Sequence, residues 1–162
     1  MRRVAALGAP LVFVVAGGTA CTDGGPAVRA ADAAVGANPG DSAALYVDLT
    51  AEGSDDRLTS ATCDCARSTS LHVTEDRDGI LLMLSTASIE LPAGDTVDLS
   101  PGGSHVMLED LDSPLIAGST IEVTLGFERS PELLLDVPVV ALEELAERVT
   151  APGAAGDGAG GG

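Results

Sequence analysis

From Ala43 to Thr50 the chain reads AALYVDLT, apolar and polar side chains alternating with the period of a half-buried strand. Similar runs recur at Arg57 to Thr62, Ser70 to Thr74, Ile80 to Ser85, Ile89 to Leu91, Thr96 to Leu99, His105 to Leu108, Thr120 to Phe127 and Leu133 to Val139. Turn formers punctuate them at Glu52-Gly53, Asp78-Gly79, Pro92 to Asp95, Pro101-Gly102-Gly103, Ser113-Pro114 and Gly118-Ser119. Short strands joined by tight turns predict one all-β domain over 41–140, an antiparallel sandwich or barrel. Past Val140 the period changes. Leu142, Leu145 and Val149 share one face of a short amphipathic helix, and the Gly-rich stretch to Gly162 reads as a disordered tail.

The segment before the domain has a different character. Met1 to Cys21 carries two arginines, an apolar run from Val4 to Ala16 and small residues ahead of the cysteine, the layout of a secretory signal peptide. The apolar run is shorter than the about 20 residues a spanning helix needs. Gly18, Thr19 and Ala20 before Cys21 resemble a bacterial lipoprotein cleavage site, after which Cys21 would carry the lipid. Either lipid anchoring or simple release puts the mature protein outside the cytoplasmic membrane. Residues 22–40, rich in Ala, Gly and Asp without a sustained period, read as a flexible tether.

Composition narrows the function classes. At 162 residues and 45% apolar content the chain can bury one core. Aromatics are only 2%, so that core is aliphatic and offers no platform for stacking bases. The net charge of -17, from 25 acidic residues against 8 arginines, would repel a polyphosphate, so nucleic acid is not an expected partner.

The rare residues are unevenly placed. Both histidines, and both methionines other than the initiator, lie between Leu71 and Leu108 as His72, Met83, His105 and Met107. Two imidazoles and two thioethers are a soft donor set that suits Cu(I). His105 and Met107 are alternate residues of one strand and face the same way. His72 and Met83 flank a hairpin; if its turn is Asp76 to Gly79, they stand opposite one another and Thr74 stands opposite Leu81, a pairing that depends on the register. The Pro101-Gly102-Gly103 turn would bring this face to an open end of the domain.

The order His72, ten residues, Met83, twenty-one residues, His105, one residue, Met107 resembles the signature of the PCu(A)C-type copper chaperones of bacteria. The flanking text ELPAGDTVDLSPGGSHVML, LIAGSTIEVTLGFE and LLLDVPVV is similar too, so the resemblance covers about Asp41 to Val140. It implies a cupredoxin-like antiparallel β-sandwich of Greek-key type. It also implies a monomer with an exposed Cu(I) site that passes copper between donor and acceptor proteins, cytochrome c oxidase subunit II with its binuclear centre or another copper chaperone. That role is a carrier's and not an enzyme's. Many members carry a further Met directly after the first His, where this chain has Val73, and some carry a Met- and His-rich tail, whereas residues 141–162 contain neither residue.

Cys63 and Cys65 fall outside that signature. In an oxidising compartment they could form a small disulfide ring, act as accessory copper thiolates or redox thiols, or stay unpaired. Two competing functions therefore stand beside copper transfer: a thiol redox protein, and a cell-surface interaction domain whose His and Met are incidental.

Overall fold

A computed structural model describes residues 26–150 as ten strands and one helix. The expected signal peptide, Cys21 and the Gly-rich tail lie outside the described residues. The strands are β1 (Ala27–Gly36), β2 (Ser42–Glu52), β3 (Asp56–Thr62), β4 (Ala66–Arg77), β5 (Ile80–Thr86), β6 (Ile89–Leu91), β7 (Thr96–Leu99), β8 (His105–Leu111), β9 (Thr120–Phe127) and β10 (Leu133–Val140), followed by α1 (Leu142–Thr150).

They hydrogen-bond in the order β5-β4-β8-β2-β1-β10-β9-β3-β6, with β7 pairing β2 off this path. The path folds over where β1 meets β10 in a short parallel ladder, Val35 with Val139 and Gly36 with Val140. The other ladders are antiparallel, and the result is a cupredoxin-like β-sandwich. Alternation builds its core: Leu45, Leu49, Leu71 and Val106 from one layer meet Leu58, Val123, Leu125 and Val137 from the other in one buried aliphatic cluster.

One expectation fails here. Residues 22–40 are not simply a tether, because β1 lies within them and pairs with β2 from Ala27 opposite Glu52 to Val35 opposite Leu45. Periodicity misses β1 for two reasons. Half of it is alanine, a weak strand former, and a register shift between Ala31 and Ala34, with Asp32 at φ 50°, breaks the alternation. The small residues have a packing role. Ala34 and Val35 are buried, and a Cβ at Gly36 would lie 3.0 and 3.1 Å from the methyls of Leu142 and Leu145, so glycine lets α1 sit on β1. Glu143 and Glu144 in the first turn of α1 suit the positive end of its dipole. Among the described residues no helix is long and apolar enough to cross a membrane.

Candidate functional site

The β4–β5 hairpin closes on Asp78 and Gly79, at φ 56° and 82°, with Arg77 paired to Ile80. Positive φ at both central residues is the two-residue turn that matches strand twist, for which Asp-Gly is favoured. The Asp76 side chain accepts the Gly79 N–H at 2.8 Å. This turn is tighter than the four-residue one expected, so the expected pairing is corrected: His72 stands opposite Ser85, and Thr74, not His72, stands opposite Met83. The register differs by two residues. An even shift preserves the face, so Met83 remains on the side of His72, displaced to a diagonal position.

A long-range ladder completes the arrangement. β4 pairs with β8 so that His72 stands opposite His105 and Ser70 opposite Met107. His72, Met83, His105 and Met107 therefore occupy one face of three adjacent strands, the outer face of their layer, since Leu71 and Val106 between them point into the core. The imidazole centroids are 5.4 Å apart at an interplanar angle of 48°. The Tyr46 ring, from β2, lies 6.3 Å from that of His105 on its other side.

Exposure is graded across this face. His105 is 4% exposed and Met83 59%, with His72 and Met107 in between. The expectation of an open site is thus met only at the Met83 end. His105 is enclosed between Tyr46 and His72 and beneath the turn that precedes it.

The imidazoles are held by different atoms. His105 Nδ1 lies 3.1 Å from the Gly103 carbonyl, which can only accept, so the neutral ring carries its proton on Nδ1 and its lone pair on Nε2. The same carbonyl accepts the Thr74 hydroxyl at 3.0 Å, tying β4 to the turn before β8. His72 Nε2 instead contacts the hydroxyls of Ser70 at 3.0 Å and Ser85 at 3.3 Å, while its Nδ1 is shielded from solvent and has no hydrogen-bond partner.

Two imidazoles and two thioethers can together offer a monovalent soft cation neutral donors. Among the described residues no group of three or more His, Cys, Asp or Glu converges on a common point, so a harder all-N/O or thiolate cage is not built there. Beyond Tyr46 on the same face, Asp48 stands opposite Asp98 of β7. Burial pushes the Asp48 carboxyl above the usual range, and the Asp98 and Asp32 carboxylates push the same way. This side of the face attracts cations.

Cys63 and Cys65 are joined by a disulfide at the turn between β3 and β4, with Cys63 against the core. Of the states left open by the sequence, the bridge is the one formed, and neither sulfur is a thiolate. Cys65, just before β4, precedes His72 by seven residues, roughly 20 Å at strand rise, which is too far for a shared ligand sphere.

Periodicity did not single out Tyr46, Ser70, Thr74, Gly103 or Ser85, all of which touch or flank the histidines. The two-residue turn implied by Asp78-Gly79 would have put Ser85 opposite His72. The partnership of β4 with β8 has no local signal.

Comparisons with known proteins bear on the family and the fold. Residues 25–139 match the family model described as "Putative lipoprotein LpqE-like". The chain is 42% identical over 83 residues to "Putative lipoprotein Lxx21020" of Leifsonia xyli subsp. xyli, and spans about half the length of that relative, the match covering 51% of this chain and 50% of the other. Among solved structures it is similar to the "Copper-bound PCuAC domain from PmoF2", with 27% identity and a TM-score of 0.60 over 70% of this chain and 92% of that one. It is also similar to "CuI-DR1885 from Deinococcus Radiodurans", with 26% identity and a TM-score of 0.53 over 72% of this chain and 77% of that one.

Proposed function

The chain belongs to the LpqE-like lipoprotein family, and on that footing we propose that it is an extracytoplasmic carrier of Cu(I). Lipid on Cys21 would hold it at the outer face of the bacterial cytoplasmic membrane. Its cargo would be bound by His72, Met83, His105 and Met107 and handed to another copper protein; the binuclear centre on subunit II of cytochrome c oxidase is the recipient we favour, another copper chaperone the next.

The observation that carries this reading is the register pairing of His72 with His105, with both thioethers on the same face. The donor chemistry fits the cargo. Neutral thioethers favour the monovalent ion over Cu(II), and His105, locked as the Nδ1–H tautomer, keeps Nε2 free to ligate. The exposure gradient suits transfer. The His105 end is enclosed and retains the ion, while Met83 is open to an incoming ligand that can attack before the other donors let go. No bond of a substrate need be made or broken, so the role is that of a carrier.

Titrating the copper-free protein with Cu(I) against a competing chelator tests this. One Cu(I) per chain is expected, with affinity lowered about tenfold by Met107→Leu and less by Met83→Leu, whose thioether is already exposed. Parental affinity in Met107→Leu would remove the assigned site. In the same assay a variant carrying Cys63→Ser and Cys65→Ser is expected within about twofold of the parent, since the disulfide lies roughly 20 Å along β4 from His72. A tenfold loss there would instead bring sulfur from that turn into the copper chemistry.

A further inference from the structure

We infer that Ser70 and Ser85 are positioning residues for His72: their hydroxyls accept the Nε2–H and hold the ring in the tautomer in which Nδ1, without a partner of its own, is the metal-binding nitrogen. This rests on the Cu(I) reading of the site and deepens it, since neither serine belongs to the His and Met pattern.

Three observations combine. The hydroxyls of Ser70 and Ser85 approach the same atom, His72 Nε2, at 3.0 and 3.3 Å, one from two residues back on β4 and the other from the opposite position on β5. The other ring nitrogen, Nδ1, is shielded from solvent and without a partner. The neighbouring ring 5.4 Å away has the reverse arrangement, because His105 Nδ1 donates to the Gly103 carbonyl.

With the proton on Nε2, His72 donates to the serine hydroxyls and its buried Nδ1 is a bare lone pair. With the proton on Nδ1, the same geometry would leave a buried N–H with no acceptor, and orphaned N–H donors are rarer in proteins than under-satisfied acceptors. The Nε2–H form is therefore favoured before any metal arrives. A Cu(I) ion needs a lone pair, and Nδ1 supplies one without a prior proton shift. The two histidines would then present opposite nitrogens, Nδ1 of His72 and Nε2 of His105, to one ion. Partners that fix the tautomer and orientation of a ligating imidazole change metal affinity by about 10–100-fold.

Ser70 has a second constraint that makes its removal informative. It stands opposite Met107 in the β4–β8 ladder, on the face of His72, whose Nε2 its hydroxyl contacts, while its backbone stays in the sheet. Replacing it by alanine removes the hydroxyl and leaves the ladder.

Long-range proton–nitrogen NMR of the copper-free parent, at a pH where the ring is neutral, reads the tautomer directly. His72 is expected in the Nε2–H form. In the double variant Ser70→Ala, Ser85→Ala the signal should move toward a mixture of tautomers and Cu(I) affinity should fall about tenfold with the stoichiometry unchanged. Ser70→Thr with Ser85→Thr, which keeps both hydroxyls, should restore the two readouts. An Nδ1–H ring in the parent, or parental affinity in the double alanine variant, would overturn the assignment. His72→Ala is the internal control. Parental affinity there would defeat the copper-ligand reading itself, whereas loss of affinity there beside an unaffected serine variant would remove only the positioning role.

Discussion

His105→Ala is expected to weaken Cu(I) binding about 100-fold, the largest loss among single changes to the four donors. Four-ligand structural zinc sites bind with about 10–16 kcal/mol, roughly 3 kcal/mol for each ligand, a scale carried over to Cu(I), and about 1.4 kcal/mol corresponds to each factor of ten. His105 should lie at the high end of its set. At 4% exposure it is the most enclosed donor, and the Gly103 carbonyl has already fixed its tautomer, so little ordering remains to be paid on binding. Water can replace a thioether at the exposed Met83 position more easily than it can enter between Tyr46 and His72. Truncating a ring packed against two others also removes core-like contacts, so thermal unfolding must be measured beside binding. His105→Phe restores the ring volume without the nitrogen and should recover most of the stability while leaving copper affinity as low as in the alanine variant. Recovery of affinity in the phenylalanine variant would mean that packing, and not ligation, was lost.

The faces of the four candidate residues were legible because strand alternation is a local property. His105 and Met107 need only one strand to face together, and Met83 keeps the face of His72 under any even shift of the hairpin. What periodicity could not supply were relations set by the turn and by distant chain. The register followed from the positive φ of both Asp78 and Gly79, a two-residue turn where a four-residue one was expected. The facing of His72 and His105 follows from β8 inserting between β4 and β2, a pairing of segments far apart in sequence. β1 was overlooked because alanines chosen for close packing at the corner of the sandwich carry almost no strand signal. The serines around His72 were invisible for a similar reason: hydroxyl residues are common on half-exposed strands, and only the register gives these two a function.

Asp56→Ala is expected to lower the free energy of unfolding at neutral pH by about 3–4 kcal/mol, and Asp56→Asn by about 2 kcal/mol. Asp56 opens β3 and is 2% exposed. Its Oδ1 accepts the N–H of Arg57 at 2.7 Å and of Arg129 at 3.0 Å, and its Oδ2 accepts the N–H of Ser130 at 2.8 Å. The neighbouring Asp55 carboxylate accepts the Ala93 N–H at 2.9 Å, and its carbonyl accepts Arg129 Nη1 at 3.1 Å, so two adjacent aspartates pin the β6–β7 and β9–β10 connections to one strand end. Alanine leaves these donors without their acceptor. Asparagine keeps one oxygen and turns an NH2 group toward donors. Burial alone would raise the Asp56 pKa, but the donors of Ser130, Arg57 and Arg129 outweigh it and hold the pKa below the ordinary 3.8. A carboxylate with a depressed folded-state pKa contributes stability that is complete above its unfolded pKa and is lost as pH falls through the folded value. The gap between the parent and Asp56→Asn should therefore be widest near neutral pH and narrow as pH falls from about 3.8 toward the lower folded-state value, because there the unfolded parent takes up a proton that the folded carboxylate still excludes and the variant never binds. Denaturant midpoints for both proteins at pH 7 and near pH 3 read this out. An equal gap at the two pH values would show that shape, and not the ionised carboxylate, holds the loop. β3 lies in the layer opposite the two histidines, so the folded asparagine variant should bind Cu(I) as the parent does, separating the anchor of the sandwich from the site it carries.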